Sequence, residues 1–261
     1  MPRRNRILHQ IAILLFVLLS PAALASLANN SVSNTETSEA KPLFQQKQRH
    51  FKLEAHTAKY TARFKKGVNL KGSGVRQLKA LGNDRWLYRF DVDSLPVDIR
   101  ESVQFLWQDN SVRPIEYQYS RDGFFIRKKT RSIRFDGENN RAEGKNSGDS
   151  WKINIPSNSL DRLSYQVQLL VDIALERSPM QYQVVHKGRL EDSQFQIIRE
   201  ETLQTKIGTE QSVVVEKVRS PEKQRKTLLW FSKSNPLILL RMYQQEKDGE
   251  EYEITIQSIE K

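Results

Sequence analysis

The stretch 158-NSLDRLSYQVQLLVDIALER-177 is the one segment whose apolar residues recur with helical spacing over several turns, and its reading decides the fold. At 3.6 residues per turn, Leu160, Leu163, Val167, Leu170, Val171, Ala174 and Leu175 fall on one broad arc. Leu169 and Ile173 project from nearly the opposite side, so only a narrow strip through Asp161, Tyr165, Gln168 and Asp172 stays polar. Ser157, Asn158 or Ser159 is placed to cap the start, Asp161 sits in the first turn where a negative charge suits the helix dipole, and Pro179 follows the end. Burying the seven side chains of the arc at roughly 1.5 to 3 kcal/mol each gives about 10 to 20 kcal/mol. That exceeds the net stability of an ordinary domain, so the helix belongs to the core.

Around it the chain alternates with period two. Phe51, Leu53 and Ala55 share one phase, and Ala58, Tyr60, Ala62 and Phe64 the other, which predicts a bulge near His56 and Thr57. Trp86 to Val92, Val103 to Trp107 and Ile115 to Tyr119 alternate cleanly. The segment from Phe124 to Asp136 changes phase and should also bend, and 136-DGENNRAEGKNSGDS-150 reads as an exposed, mobile loop. Strands follow at Trp151 to Ile155, Tyr182 to Val185, Gln194 to Leu203, Gln211 to Arg219 and Leu228 to Phe231. The last pair, Leu237 to Gln245 and Glu251 to Ile259, is joined through the hairpin signal Asp248-Gly249. Short turns between about ten strands predict a mainly β fold: a curled antiparallel sheet or open barrel with one long helix on its concave face.

The first 25 residues read as a cleaved signal peptide, with the basic MPRRNR, an apolar run, and Ala23-Leu24-Ala25 before Ser26. Residues 26–42, rich in Ser, Asn, Thr and Glu, read as a disordered linker, and 43–261 as one β-rich domain in the periplasm. With no cysteine, thiolate chemistry, disulfides and a lipidated cysteine are excluded. The formal charge of +11 falls to +8 once the leader's three arginines are removed, which favours anionic neighbours. No nucleic-acid-binding motif is present.

Candidate chemistry is sparse. Ser164 with Asp161 one turn away suggests a nucleophile, but the only histidines beyond the leader are His50, His56 and His186, none in a nucleophile-elbow context. Its hydroxyl is better placed to bond back to the helix backbone. Glu54 and His56 share a strand face, yet no third ligand follows at metal spacing. Glu200-Glu201 and Glu250-Glu251 project to opposite sides and form no dyad. The basic run Arg127-Lys128-Lys129-Thr130-Arg131 is either a charged strand that blocks edge pairing or, through Arg127, Lys129 and Arg131, a docking patch for an anionic surface.

Several landmarks in order carry a resemblance: Pro114-IEYQY, Phe135-Asp136, Leu160-DRLSYQVQL, Glu201-TLQTKIG, Leu228-LWFSKSNP and Tyr243-QQEKDGEEYEI. From about Phe51 to the C-terminus the chain resembles the domain-of-unknown-function 3108 family. The family pattern marks Asp161, Leu163, Ser164, Thr205, Gly208, Trp230, Pro236 and Asp248-Gly249. Ile238 to Leu240 depart from it, since the family more often has Pro-Val-Arg there. The resemblance implies export to a bacterial envelope and a β-rich fold, and it implies no catalytic residue.

The leading expectation is a non-enzymatic periplasmic protein that binds a lipid or other apolar ligand beside the strip of Asp161, Tyr165, Gln168 and Asp172, with no cofactor and no metal. The alternatives are an assembly factor that binds another envelope protein through a sheet edge, and a hydrolase using Ser164 or His56.

Overall fold

The computed structural model describes residues 50–65, 69–94, 97–124, 127–220, 225–234 and 238–261. The signal-peptide and linker expectations, the start of the domain at residue 43, and those for Ile126 and Pro236 fall outside the described residues.

The strands are β1 (His56–Lys65), β2 (Asn69–Gly82), β3 (Arg85–Ser94), β4 (Val97–Gln108), β5 (Ser111–Gly123), β6 (Lys129–Asp136), β7 (Arg141–Asn146) and β8 (Asp149–Asn154). One helix, α1 (Ser164–Ala174), separates them from β9 (Met180–His186), β10 (Arg189–Thr205), β11 (Gly208–Val218), β12 (Lys226–Ser232), β13 (Leu239–Gln245) and β14 (Glu251–Glu260). All pair antiparallel in a single 14-stranded sheet, in which each strand neighbours its sequence neighbours except across the β8–β9 break, and β1 joins β14. Fourteen strands replace the expected ten or so. The sheet's two edges are β8 and β9.

Side chains in one phase of each strand point inward. Tyr60 and Phe64 of β1, Tyr88 and Phe90 of β3, Val103 and Phe105 of β4, and Tyr117 of β5 are all buried and belong to one core. Glycine sets the spacing where strands crowd. A Cβ on Gly144 of β7 would stand 2.1 Å from the Ser132 carbonyl oxygen and 2.5 Å from the Trp151 ring. The same indole crosses the seam, because a Cβ on Gly188, in the β9–β10 turn, would meet Trp151 at 2.9 Å. Thus the edges approach through Trp151 on Gly188 without sharing a ladder.

The segment before α1 spans the rest of the seam. Ile155 N–H donates to Asn140 O at 2.8 Å; farther on, Leu160 bonds both ways to β9, donating to Gln183 O at 2.8 Å and accepting from Val185 N–H at 2.7 Å. This extended docking is why the helix starts at Ser164 rather than near Asn158. The start is held by Asp161, whose Oδ1 accepts from the backbone of Leu163 at 2.8 Å and of Ser164 at 3.0 Å. The Ser164 hydroxyl returns the bond, accepting from Asp161 N–H at 2.8 Å. Asp161 and Ser164 form a reciprocal cap of the kind that satisfies otherwise orphaned helix donors. Ser157, Asn158 and Ser159 do not serve. The bend expected near His56 is also displaced: β1 begins at His56, and its register against β14 shifts between Lys59 and Tyr60. The loop expected over residues 136–150 contains a complete strand, β7.

Candidate functional site: a cleft beside the internal helix

The helix is buried on almost every side, with Val167, Leu169, Val171 and Ile173 in the core and Leu170 only partly covered. Its fixed side is polar. Gln168 accepts from Val112 N–H through Oε1 at 2.8 Å and donates through Nε2 to Asn110 O at 3.2 Å and Asp172 Oδ1 at 2.9 Å. Asp172 also accepts from the Tyr182 hydroxyl at 2.9 Å and pairs with Arg177 at 3.3 Å. Tyr165 stacks on Tyr182 and Phe195, ring centroids 6.3 and 5.5 Å away. Of the strip singled out in the sequence, Asp161, Gln168 and Asp172 are therefore engaged in fastening the helix, and Tyr165 alone faces the internal cleft.

That cleft, about 50 Å³, lies between α1 and residues of β2–β4, β10, β12 and β13. Leu170, Leu229, Phe231, Leu239 and Met242 give it an apolar wall, and Arg76, Glu101 and Arg162 a charged one. A second cavity of about 30 Å³ continues past Leu170 and Val171 to Phe51 and His56, and the two share Arg76, Tyr88, Leu170 and Leu239. Arg76 is the pinch between them. Its Nη1 donates to the Tyr88 hydroxyl at 2.8 Å and to Gln166 Oε1 at 2.6 Å, and its guanidinium carbon lies 4.3 Å from the Phe90 ring centre. Arg76 is only 4% exposed, and its Nε, also buried, makes no hydrogen bond. Across the cleft, Glu101 accepts from Tyr117 at 2.5 Å.

A second buried polar line runs along β10 and β11. Lys217 donates to the Ser193 hydroxyl at 3.1 Å and lies beside the Phe195 and Tyr165 rings. Burial first, then the Arg219 and Arg162 charges, hold its ammonium down to about 7. Glu191 on the same face is pushed up to about 7 by burial. Asp161, wholly enclosed, is raised to about 6 by burial against the pull of its cap hydrogen bonds. His186 is 3% exposed, its Nε2 is unbonded, and burial with the Arg162 and Arg131 charges keeps it neutral. Of these groups Asp161 stands beside Ser164 as its capping partner, and the Ser164 hydroxyl is committed to that cap. His56 bonds to the Glu54 carbonyl through Nδ1 at 2.9 Å. Among the described residues no three His, Asp or Glu side chains gather as a metal site.

The basic run divides. Arg127 and Lys129 are exposed, whereas Arg131 turns inward, 5.1 Å from the Tyr119 ring centre. Sequence reasoning missed Arg76, Glu101 and Arg162 as cleft residues. The signal for Glu101 was present: it stands in phase with Val97, Ile99, Val103 and Phe105, where an inward apolar residue is expected.

With this geometry in place, comparison places the chain among known proteins. The family model described as Protein of unknown function (DUF3108) matches residues 47–257. No curated protein matches. Among solved structures, a β-barrel-like protein of the DUF1849 family from Brucella abortus superposes with a TM-score of 0.54 at 9% identity, covering 79% of this chain and 97% of that one. A DUF1329 family protein from Desulfovibrio piger, 11% identical, covers 78% of this chain and 84% of its own, with a TM-score of 0.23. The first likeness is one of fold.

Proposed function

Because the chain belongs to the DUF3108 family, a family of unknown function, we propose from its cleft that it is a non-enzymatic protein of the bacterial envelope that holds an apolar chain with an anionic head. The observation that carries this is Arg76, a buried guanidinium with an unused Nε at the edge of an apolar slot. An anionic head would take that donor, and its chain would lie along Leu170, Leu239 and Met242. The leader and the positive charge of the chain agree with an envelope setting.

The slot as it stands is small. A water needs roughly 10 to 15 Å³, so about 50 Å³ holds a few waters, whereas ligand pockets run to about 300 Å³ or more. Binding would therefore swing Arg76 and Leu170 aside and merge the two cavities. Displacement of a fluorescent fatty acid from the purified protein tests this. The wild type should bind a fatty acid more tightly than the matching alcohol, Leu170→Trp should weaken both at least about tenfold, and Arg76→Met should erase the preference for the acid. A wild type that binds neither, or an Arg76→Met variant that keeps the preference, refutes the reading. An assembly role through a sheet edge is the competing proposal, since the outer side of β8 pairs with no strand. A specific cross-link to β8 together with no ligand in the cleft would favour it.

A further inference from the structure

In a meander of antiparallel strands, successive turns alternate between the two ends of the sheet. The β5–β6, β7–β8 and β9–β10 turns therefore gather at one end, and contacts join them: Ser147 N–H donates to Thr130 O at 2.9 Å, and Trp151 packs on Gly188. This rim is basic. Arg127, Lys128 and Lys129 are exposed after β5, and Lys187 is exposed in the turn after β9. Lys187 feels the charges of Arg131, Arg162 and Lys129, and Lys129 those of Arg121, Arg131 and Arg127; together with burial, the larger cause, they lower both ammonium groups. Cations from both sides of the seam are thus brought together, with Asp122 paired to Lys128 at 3.5 Å.

Beside the same two turns, at the end of β5 and the start of β10, apolar side chains are exposed. Phe124, at 72%, is the most exposed large apolar residue among those described, and Leu190 is 38% exposed. Leu81, 43% exposed, lies at the opposite end. An apolar tip ringed by basic side chains suits a surface that offers negative headgroups outside and hydrocarbon just beneath.

We propose that this rim docks on an anionic lipid bilayer, with Phe124 and Leu190 entering the interface and Arg127, Lys128, Lys129 and Lys187 on the headgroups. The inference stands apart from the cleft reading, and cleft binding measured in solution on the same variants separates the two.

The test is co-sedimentation of the mature protein with vesicles that contain phosphatidylglycerol or only zwitterionic lipid. The wild type should bind the anionic vesicles and release as salt rises. At about fivefold per cation near such a surface, Arg127→Gln with Lys128→Gln should lower partitioning about 25-fold. Phe124→Asp should lower it as well and leave cleft binding unchanged, while Leu81→Asp at the far end should behave like the wild type. Absence of binding to anionic vesicles, binding of the rim variants equal to wild type, or an equal loss in Leu81→Asp overturns the proposal. So does capture by an acidic polysaccharide without capture by vesicles.

Discussion

Replacing Asp161 by Asn separates the two things this carboxyl does. Its Oδ1 holds the first turn of α1 by accepting from Leu163 and Ser164, and its charge is buried with Oδ2 unbonded. Burial raises its pKa from 3.8 to about 6. The native state therefore keeps a proton that the unfolded chain has lost between about pH 4 and 6, so stability falls as pH rises through that window and levels off above it. At about 1.4 kcal/mol per pH unit the loss is about 3 kcal/mol. Asn keeps the acceptor and cannot ionise. Asp161→Asn should match the wild type near pH 4 and exceed it by up to about 3 kcal/mol at pH 7. Asp161→Ala removes the acceptor too and leaves two buried N–H groups unpaired, at roughly 1 to 3 kcal/mol each, so it should lie below the Asn variant at both pH values. Urea titrations of the three proteins at both pH values give the comparison, provided the slopes agree. A difference between Asn and Asp that does not change with pH would refute the argument that this carboxyl is desolvated.

Lys217 has the opposite sign. Its folded pKa of about 7 lies below the unfolded value near 10.5, so stability should rise with pH across that span, and Lys217→Met should gain most over the wild type below pH 7 and lose its advantage near pH 10, read by thermal melts. Gly144→Ala should cost several kcal/mol and release the seam, because its Cβ meets a carbonyl and an indole at under 3 Å; near-ultraviolet circular dichroism of Trp151 reports it. Trp230→Phe should cost about 1 to 2 kcal/mol by denaturant titration, since it leaves Glu201 without the indole N–H bonded at 2.5 Å.

The helix, the antiparallel meander and the Asp248-Gly249 hairpin were legible because each rests on a local pattern. What was not legible has a common cause: inward positions that are not apolar. Strand β2 places Gly74 and Arg76 on its inner face, and β7 has Gly144 there, so neither shows the alternation by which a half-buried strand is read. Gly144 is small because Trp151 occupies the space, and Arg76 is charged because Tyr88 and Gln166 satisfy it. Both facts depend on partners on other elements: Trp151 on the next strand for Gly144, Tyr88 on the next strand and Gln166 on the helix for Arg76. The strip on α1 was read correctly as polar, but its partners Val112, Asn110 and Tyr182 come from β5, the turn before it, and β9.

The width of the sheet explains why polar groups are enclosed at all. Eight strands already surround a space that side chains just fill, and sixteen to eighteen leave a channel. Fourteen strands need an insert, and an 11-residue helix of about 16 Å supplies one. The insert is fastened unequally: its Gln168–Asp172 side is bonded to the start of β5 and to β9, whereas the side bearing Leu170 faces β2, β3 and β13 across the cleft. On that loose side Gln166 reaches the sheet through Arg76. A guest would thus meet least resistance where the Arg76 guanidinium, with its unused Nε, already stands. Gln166→Leu should accordingly raise affinity for the fatty-acid probe, by freeing Arg76 to turn toward its head, while Gln168→Leu, which unfastens the bonded side, should cost stability instead. Equal effects of the two substitutions on probe affinity would show that the helix moves as a whole and that its two sides are not distinct.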